Sequence, residues 1–188
     1  MSFQVLVVPE DPTYNGAILK PLVERILREC GKPNARVTVL SDPKVGGYED
    51  AKGKLPKIVR EYQDMDVVFF LPDADGRGPA LVVSLSELER EAETIGVHLV
   101  CCPAVQEVEI WLLAGHVEKL GRRWSEVRAE RSLKENVFRS FMEEYGSARD
   151  DDEGRERLMK ATLKNYAGLK RRCPELQDLE DRVRAILR

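Results

Sequence analysis

The chain is poor in several things, and each shortage excludes a class. No run of about 18 apolar residues occurs anywhere in its 188 residues, which argues against a membrane-spanning helix. The start, Met1 to Glu10, has no basic segment of the kind that opens a signal peptide, so a cytoplasmic protein is expected. Aromatic residues make up 6%, so the core has to be mostly aliphatic. Four cysteines, Cys30, Cys101, Cys102 and Cys173, show no CxxC spacing and read as reduced, mostly buried thiols. Only two histidines are present, His98 and His116, and neither sits in a ligand pattern for a catalytic metal. Internal repeats, low-complexity tracts and a GxxxxGK[ST] phosphate loop are all lacking.

Charge is plentiful but nearly balanced, at 34% of residues with a net of −3. It is unevenly placed. Residues 1–114 carry 12 Lys+Arg against 18 Asp+Glu, and residues 115–188 carry 18 against 15. A basic bulk charge that would favour nucleic acid is therefore missing, and only the C-terminal third leans that way.

The first hundred residues alternate short apolar runs with amphipathic stretches. Val5–Val8, Val37–Leu40, Val67–Leu71 and Val97–Cys102 read as four buried strands. Between them, Ile18, Leu19, Leu22, Val23, Ile26 and Leu27 fall at helical spacing, with Gly31 as the stop. Leu55, Ile58, Val59 and Tyr62 mark a second helix with Pro56 expected in its first turn. Leu81, Leu85, Leu88, Ala92 and Ile95 mark a third, opened by Gly78-Pro79. Pro103 is expected to open a fourth that contains Glu107, Glu109 and Trp111. Four β–α alternations predict an α/β fold with a mostly parallel four-stranded sheet and helices on both faces.

After Gly115 only helical patterns follow. Ser132 and Glu135 have capping-box spacing, Gly146 to Gly154 reads as a polar acidic loop, and helices are expected over about 155–172 and 174–188. The expected organisation is an α/β domain over 1–114 with a C-terminal helical extension over 115–188 packed on it. Trp111 is expected in the core or as an anchor between the two.

Three carboxylates stand at strand ends. Glu10 lies two residues past the first strand, and Asp73 and Asp75 follow the third. In an open parallel sheet, ligands sit beyond the carboxyl ends of the strands at the switch point. If the first and third strands are neighbours, the three acids converge, and their mutual repulsion calls for a hard divalent cation, Mg²⁺ or Mn²⁺. Asp, Gly and Pro after a strand are also ordinary turn residues. Separation decides: carboxylates of Glu10 and Asp73 more than about 10 Å apart cannot share one ion.

The order strand, Glu10, helix, strand, helix, strand, Asp73-Ala74-Asp75-Gly76 resembles a Toprim domain. The segment Cys102-Pro103 through Glu107, Glu109, Trp111, Leu112 and Leu113 is similar to the Glu-x-Trp-Leu-Leu signature of the Toprim-like family called domain of unknown function 4276. That family is related to the RloB-type and overcoming-lysogenization-defect proteins. The stretches Gly154 to Leu158 and Cys173 to Leu176 resemble its C-terminal helices, so the likeness covers nearly the whole chain.

The resemblance implies Mg²⁺-dependent phosphodiester hydrolysis, a nuclease acting on DNA or RNA, an antiphage setting and a separate ATPase partner. It assigns metal binding to Glu10, Asp73 and Asp75, with Glu10 as general acid/base or ligand and Glu109 as an additional acid. It also leaves room for a non-catalytic subunit that acts through protein contacts. One departure is plain: the family glutamate is followed by Gly, whereas Asp11-Pro12 follow Glu10 here. Asp11 then either substitutes as a ligand or obstructs the approach of substrate.

Glu107 and Glu109, two apart on an expected helix, should point to different faces. Basic residues on the C-terminal helices, among them Arg122, Arg123, Arg128, Arg131, Arg155, Lys160 and Lys164, suit either a phosphate backbone or a solvated, ion-paired face.

Overall fold

Val5 to Val8 form the centre of the protein because all four are apolar, three are β-branched, and none is exposed. In the computed structural model, which describes residues 2–11, 13–147 and 151–188, strand β1 (Gln4–Val8) is paired in parallel on both sides. Its neighbours are β2 (Arg36–Val39) and β3 (Val67–Phe70), and β4 (Leu99–Cys101) completes a sheet ordered β2-β1-β3-β4. Register puts Val8 opposite Phe70, so the ends of β1 and β3 lie side by side. All four strands are parallel, as the β–α alternation requires.

Alternate side chains of each strand feed two separate cores. Val5, Val7, Val67 and Phe69 face α1 (Gly16–Glu29), while Leu6, Val8, Val68 and Phe70 face α2 (Tyr48–Glu61) and α3 (Pro79–Glu93). The first core is the larger. It continues through α4 (Glu109–Leu113) into α7 (Asp151–Leu163), α8 (Tyr166–Arg172) and α9 (Pro174–Ile186). Helices α5 (Trp124–Ala129) and α6 (Arg139–Tyr145) lie between. Trp111 is fully buried and donates its indole Nε1–H to Glu175 Oε1 at 3.0 Å, which joins α4 to α9. No helix among the described residues is long and apolar enough to cross a membrane.

Several element bounds differ from the sequence reading. Helix α2 begins at Tyr48, not near Leu55, so Pro56 lies in its interior; buried Tyr48 and Ala51 extend the same apolar face by two turns. Pro103 opens no helix. Residues 103–106 continue beside β3 through an isolated bridge between Asp73 and Ala104, and Gln106 has φ 66°. The fourth strand is three residues long, ending at Cys101. The Ser132–Glu135 capping box is not made: Lys134–Phe138 is a π-helical turn that runs into α6, and its cap has no side-chain bond. The stretch expected as one helix over 155–172 starts earlier, at Asp151, and breaks at Asn165, whose side chain caps α8 by accepting from the Gly168 N–H. Of the acidic loop expected over Gly146 to Gly154, residues 148–150 lie outside the described residues and Asp151 to Gly154 belong to α7.

Candidate metal centre at the β1–β3 switch point

The strand order reverses direction between β1 and β3, so the chain leaves their carboxyl ends on opposite sides and opens a crevice there. Glu10 stands at this edge, its backbone oxygen held by the Gly47 N–H at 3.0 Å. Asp73 and Asp75 arrive on an extension of β3. Ala104 donates to the Pro72 oxygen, and Ala74 and Asp75 donate to the oxygens of Ala104 and Gln106. The chain then turns away through Asp75 at φ 45° and Gly76 at φ 70°. Asp tolerates that left-handed region better than most residues, and Gly without cost.

The three acids converge. One carboxylate oxygen from each of Glu10, Asp73 and Asp75 lies within 4.8 Å of the others, and this is the one such group among the described residues. Glu10 and Asp73 are buried, and Asp75 is exposed. Glu10 Oε2 accepts a short hydrogen bond from the Asp73 backbone N–H. Asp73 Oδ1 accepts from the Val108 N–H at 2.8 Å, and Asp75 Oδ2 lies 3.3 Å from Arg77 Nη1. Arg77 in turn donates to the Asp73 backbone oxygen and stacks on the Tyr48 ring.

Glu109 is wholly buried and reaches this cluster through a cation, not by direct contact. Lys134 Nζ lies 3.3 Å from Asp73 Oδ2, 3.8 Å from Glu107 Oε1 and 3.7 Å from Glu109 Oε1. Arg155 Nη1 closes on Glu109 Oε1 at 3.3 Å. The expectation that Glu107 and Glu109 face apart is overturned. Glu107 precedes α4, whose first residue is Glu109, so helical geometry does not separate them. Both turn to the same ammonium, and Glu107 Oε2 also accepts the Lys134 backbone N–H.

Electrostatics follow from burial. Glu10 is pushed up to about 7, first by loss of solvent and then by the neighbouring Asp73 charge. Asp73 and Glu109 are raised by burial, with Lys134 opposing in both cases. Burial likewise lifts Glu107 to about 7. Burial acts to lower Lys134, but the charges of Glu109, Asp73 and Glu107 outweigh it and raise the ammonium above its ordinary value. The cluster therefore keeps protons on Glu10 and Glu107 up to near neutrality, chiefly because burial disfavours their charged forms. Its donors are all hard oxygens, which fit Mg²⁺ or Mn²⁺.

Asp11 stands outside this group. Its Oδ1 accepts the Thr13 N–H at 2.9 Å in a local turn, and Pro12 lies outside the described residues. Beside the cluster lies a cleft of about 900 Å³ whose walls include Asp11, Tyr14, Glu109, Lys134, Phe138 and Arg155. Sequence reasoning missed Lys134, Arg77 and Tyr14. Lys134 carries no local signal, since its partners are 25 to 61 residues away.

Of the basic residues expected on the C-terminal helices, most are paired. Arg122, Arg123, Arg128 and Lys160 meet Glu130, Glu126, Glu175 and Glu156, and Arg155 is buried on Glu109.

Taken together, fold and site define a doubly wound parallel α/β protein with a carboxylate cluster at its switch point. Comparison with known families, with curated proteins and with solved structures finds no match.

Proposed function

We propose that this protein is a divalent-metal-dependent phosphodiester hydrolase whose centre is Glu10, Asp73 and Asp75. The observation that carries the reading is the convergence of their oxygens within 4.8 Å at the ends of adjacent parallel strands. Two positions far apart in sequence supply them, which an accidental acidic turn does not explain. A bound Mg²⁺ or Mn²⁺ would supply Lewis-acid polarisation of the phosphoryl group and an activated water.

The chain's own residues supply the rest. The Asp73 and Val108 backbone bonds fix the Glu10 and Asp73 carboxylates before any substrate arrives. Glu10 Oε2 is engaged by the Asp73 N–H, which leaves Oε1 to ligate the ion or to take or return a proton. Lys134 faces the same edge with a permanent positive charge, suited to the charge that develops on phosphoryl oxygens. Glu109 acts behind it, holding the ammonium in position.

Hydrolysis of a phosphodiester in Mg²⁺ or Mn²⁺, compared between the wild type and Asp73→Ala/Asp75→Ala, tests the reading. Loss of at least about a hundredfold in the double variant is expected. Equal turnover in the two proteins would sink it.

A second reading has an observation of its own. Lys134 already places a cation 3.3 Å from Asp73, so the acids can serve as a neutralised structural cluster in a non-catalytic subunit. On that reading, no divalent ion raises the melting temperature. The antiphage setting and the ATPase partner rest on the resemblance alone, and the cytoplasmic location rests on the sequence expectation.

A further inference from the structure

The cleft beside the acidic cluster has the wrong charge for a nucleic-acid strand. Six carboxylates and three cations line it. Four of the carboxylates, on Glu135, Glu143, Glu144 and Asp151, are exposed. Two of the cations are already committed: Lys134 is shared by three carboxylates, and Arg155 is paired with Glu109 and Asp151. Arg139 is the remaining one. A strand that follows a groove needs a series of free cations to replace its counterions.

The same cleft holds features that suit one small ligand. Tyr14, 47% exposed, stands on its wall four residues after Glu10. The guanidinium of Arg155 lies 5.2 Å from the Tyr14 ring centroid and 4.9 Å from that of Phe138, which backs the tyrosine ring on one side. Two buried polar atoms of the wall, Glu109 Oε2 and Arg155 Nε, have no hydrogen-bond partner. Buried polar groups are nearly always satisfied, so a polar ligand edge, directly or through one water, supplies what the chain does not. About 900 Å³ is the size of a small-molecule site.

We infer that the cleft takes a single nucleotide-sized phosphodiester, its base stacked on Tyr14 and its phosphate reaching the Glu10–Asp73–Asp75 cluster past Lys134, which lines the cleft and lies 3.3 Å from Asp73. This rests on the metal-centre reading and adds the substrate class to it.

Binding, not turnover, tests it on the full chain. Titration calorimetry with Mn²⁺ present compares adenosine 5′-monophosphate with inorganic phosphate, and anisotropy follows a labelled single strand of about 20 nucleotides. Tyr14→Ala is expected to weaken the nucleotide about tenfold and phosphate less than about twofold, with Tyr14→Phe restoring nucleotide binding. The strand is expected to bind no more than about tenfold tighter than the nucleotide, with a log–log salt slope near −1. Glu143→Lys/Glu144→Lys is expected to raise strand affinity at least about tenfold, because the rim then supplies the missing charge.

A strand that binds the wild type more than about a hundredfold tighter than the nucleotide, with a slope steeper than about −3, overturns the proposal. So does an equal loss of nucleotide and phosphate in Tyr14→Ala. The underlying reading is checked separately, by whether Mn²⁺ raises the melting temperature of the wild type but not of Asp73→Asn. If it raises both or neither, the metal centre falls and this proposal with it.

Discussion

Lys134 reaches across 61 residues of chain to place its ammonium 3.3 Å from Asp73 Oδ2. The contact gives the cluster a resident positive charge, and a divalent ion at Asp73 has to share that carboxylate with it. Lys134→Met removes the competitor. Since the side chain is 36% exposed, solvent screens the repulsion to about 1 kcal/mol, which is roughly fivefold in affinity. Calorimetric titration of Mn²⁺ should therefore show tighter binding in Lys134→Met than in the wild type, while phosphodiester hydrolysis falls at least about tenfold. Weaker metal binding in the variant would show that Lys134 organises the ligands and does not compete with the ion.

Glu10 makes the metal-free protein sensitive to pH in an unusual direction. Its carboxyl stands at about 7 in the folded chain against an ordinary value of 4.5, chiefly because it is buried. The folded state therefore holds this proton more tightly than the unfolded one. The stability this contributes is fully present below pH 4.5 and is lost as pH rises through 7. A bound divalent ion replaces the proton, so the rise in melting temperature with Mg²⁺ should be near zero at pH 5 and largest at pH 8. With Mg²⁺ at about ten times its dissociation constant, linkage gives roughly 1.4 kcal/mol, or about 3–6 °C for a chain of this size. Differential scanning fluorimetry over that pH range, with Glu10→Gln as reference, reads it directly. A shift that does not vary with pH would remove Glu10 from the ligand set.

How much of this was legible depended on where each partner sat in the chain. Val5–Val8 and Val67–Phe70 announce themselves as buried strands, and Glu10, Asp73 and Asp75 stand within five residues of their ends, so adjacency of two strands was enough to bring the acids together. Glu107 was assigned to a helix because Pro103 resembles a helix start. In the structure, residues 103–106 instead continue the pairing beside Asp73, and that choice is made by backbone hydrogen bonds to Pro72 and Ala74. Lys134 was invisible for a different reason. A lysine on an amphipathic stretch looks solvated unless the fold brings distant carboxylates to it.

The edge of the sheet shows a second polar device that spacing does not reveal. Among the described residues strand β4 pairs only with β3, leaving the Cys101 N–H and oxygen facing outward. Glu89 Oε1 accepts that N–H at 2.6 Å, Arg182 Nη1 donates to that oxygen at 2.9 Å, and the two side chains pair with each other at 2.5 Å. An edge strand left open is a template for another chain. Arg182→Ala should cost about 1 kcal/mol, because one backbone oxygen loses its donor while Glu89 is partly exposed. Glu89→Ala/Arg182→Ala should in addition raise self-association, seen by light scattering at elevated concentration. An unchanged scattering profile would mean that three residues are too short an edge to recruit a partner.

Gly115 sets how closely α7 can approach the end of α4, and through α7 it bears on the site. A methyl group at this glycine would lie 2.1 Å from Thr162 Oγ1 and 2.5 Å from Thr162 Cα. Thr162 Oγ1 meanwhile donates to the Leu112 oxygen at 2.7 Å, which pins the two elements together. Trimming the threonine cannot make room, because its Cα is itself in the way. Gly115→Ala should therefore cost about 3 kcal/mol through overpacking, lowering the melting temperature by roughly 6–12 °C. Adding Thr162→Ala should not restore it. Arg155 lies on the same helix, two turns before Thr162, and its guanidinium closes on Glu109 at 3.3 Å. A displaced α7 loosens that pair, so Gly115→Ala should also weaken binding at the cleft, at temperatures where the variant is still folded. Full rescue of stability by Thr162→Ala would place the close contact in the side chain alone and break the link from Gly115 to the site.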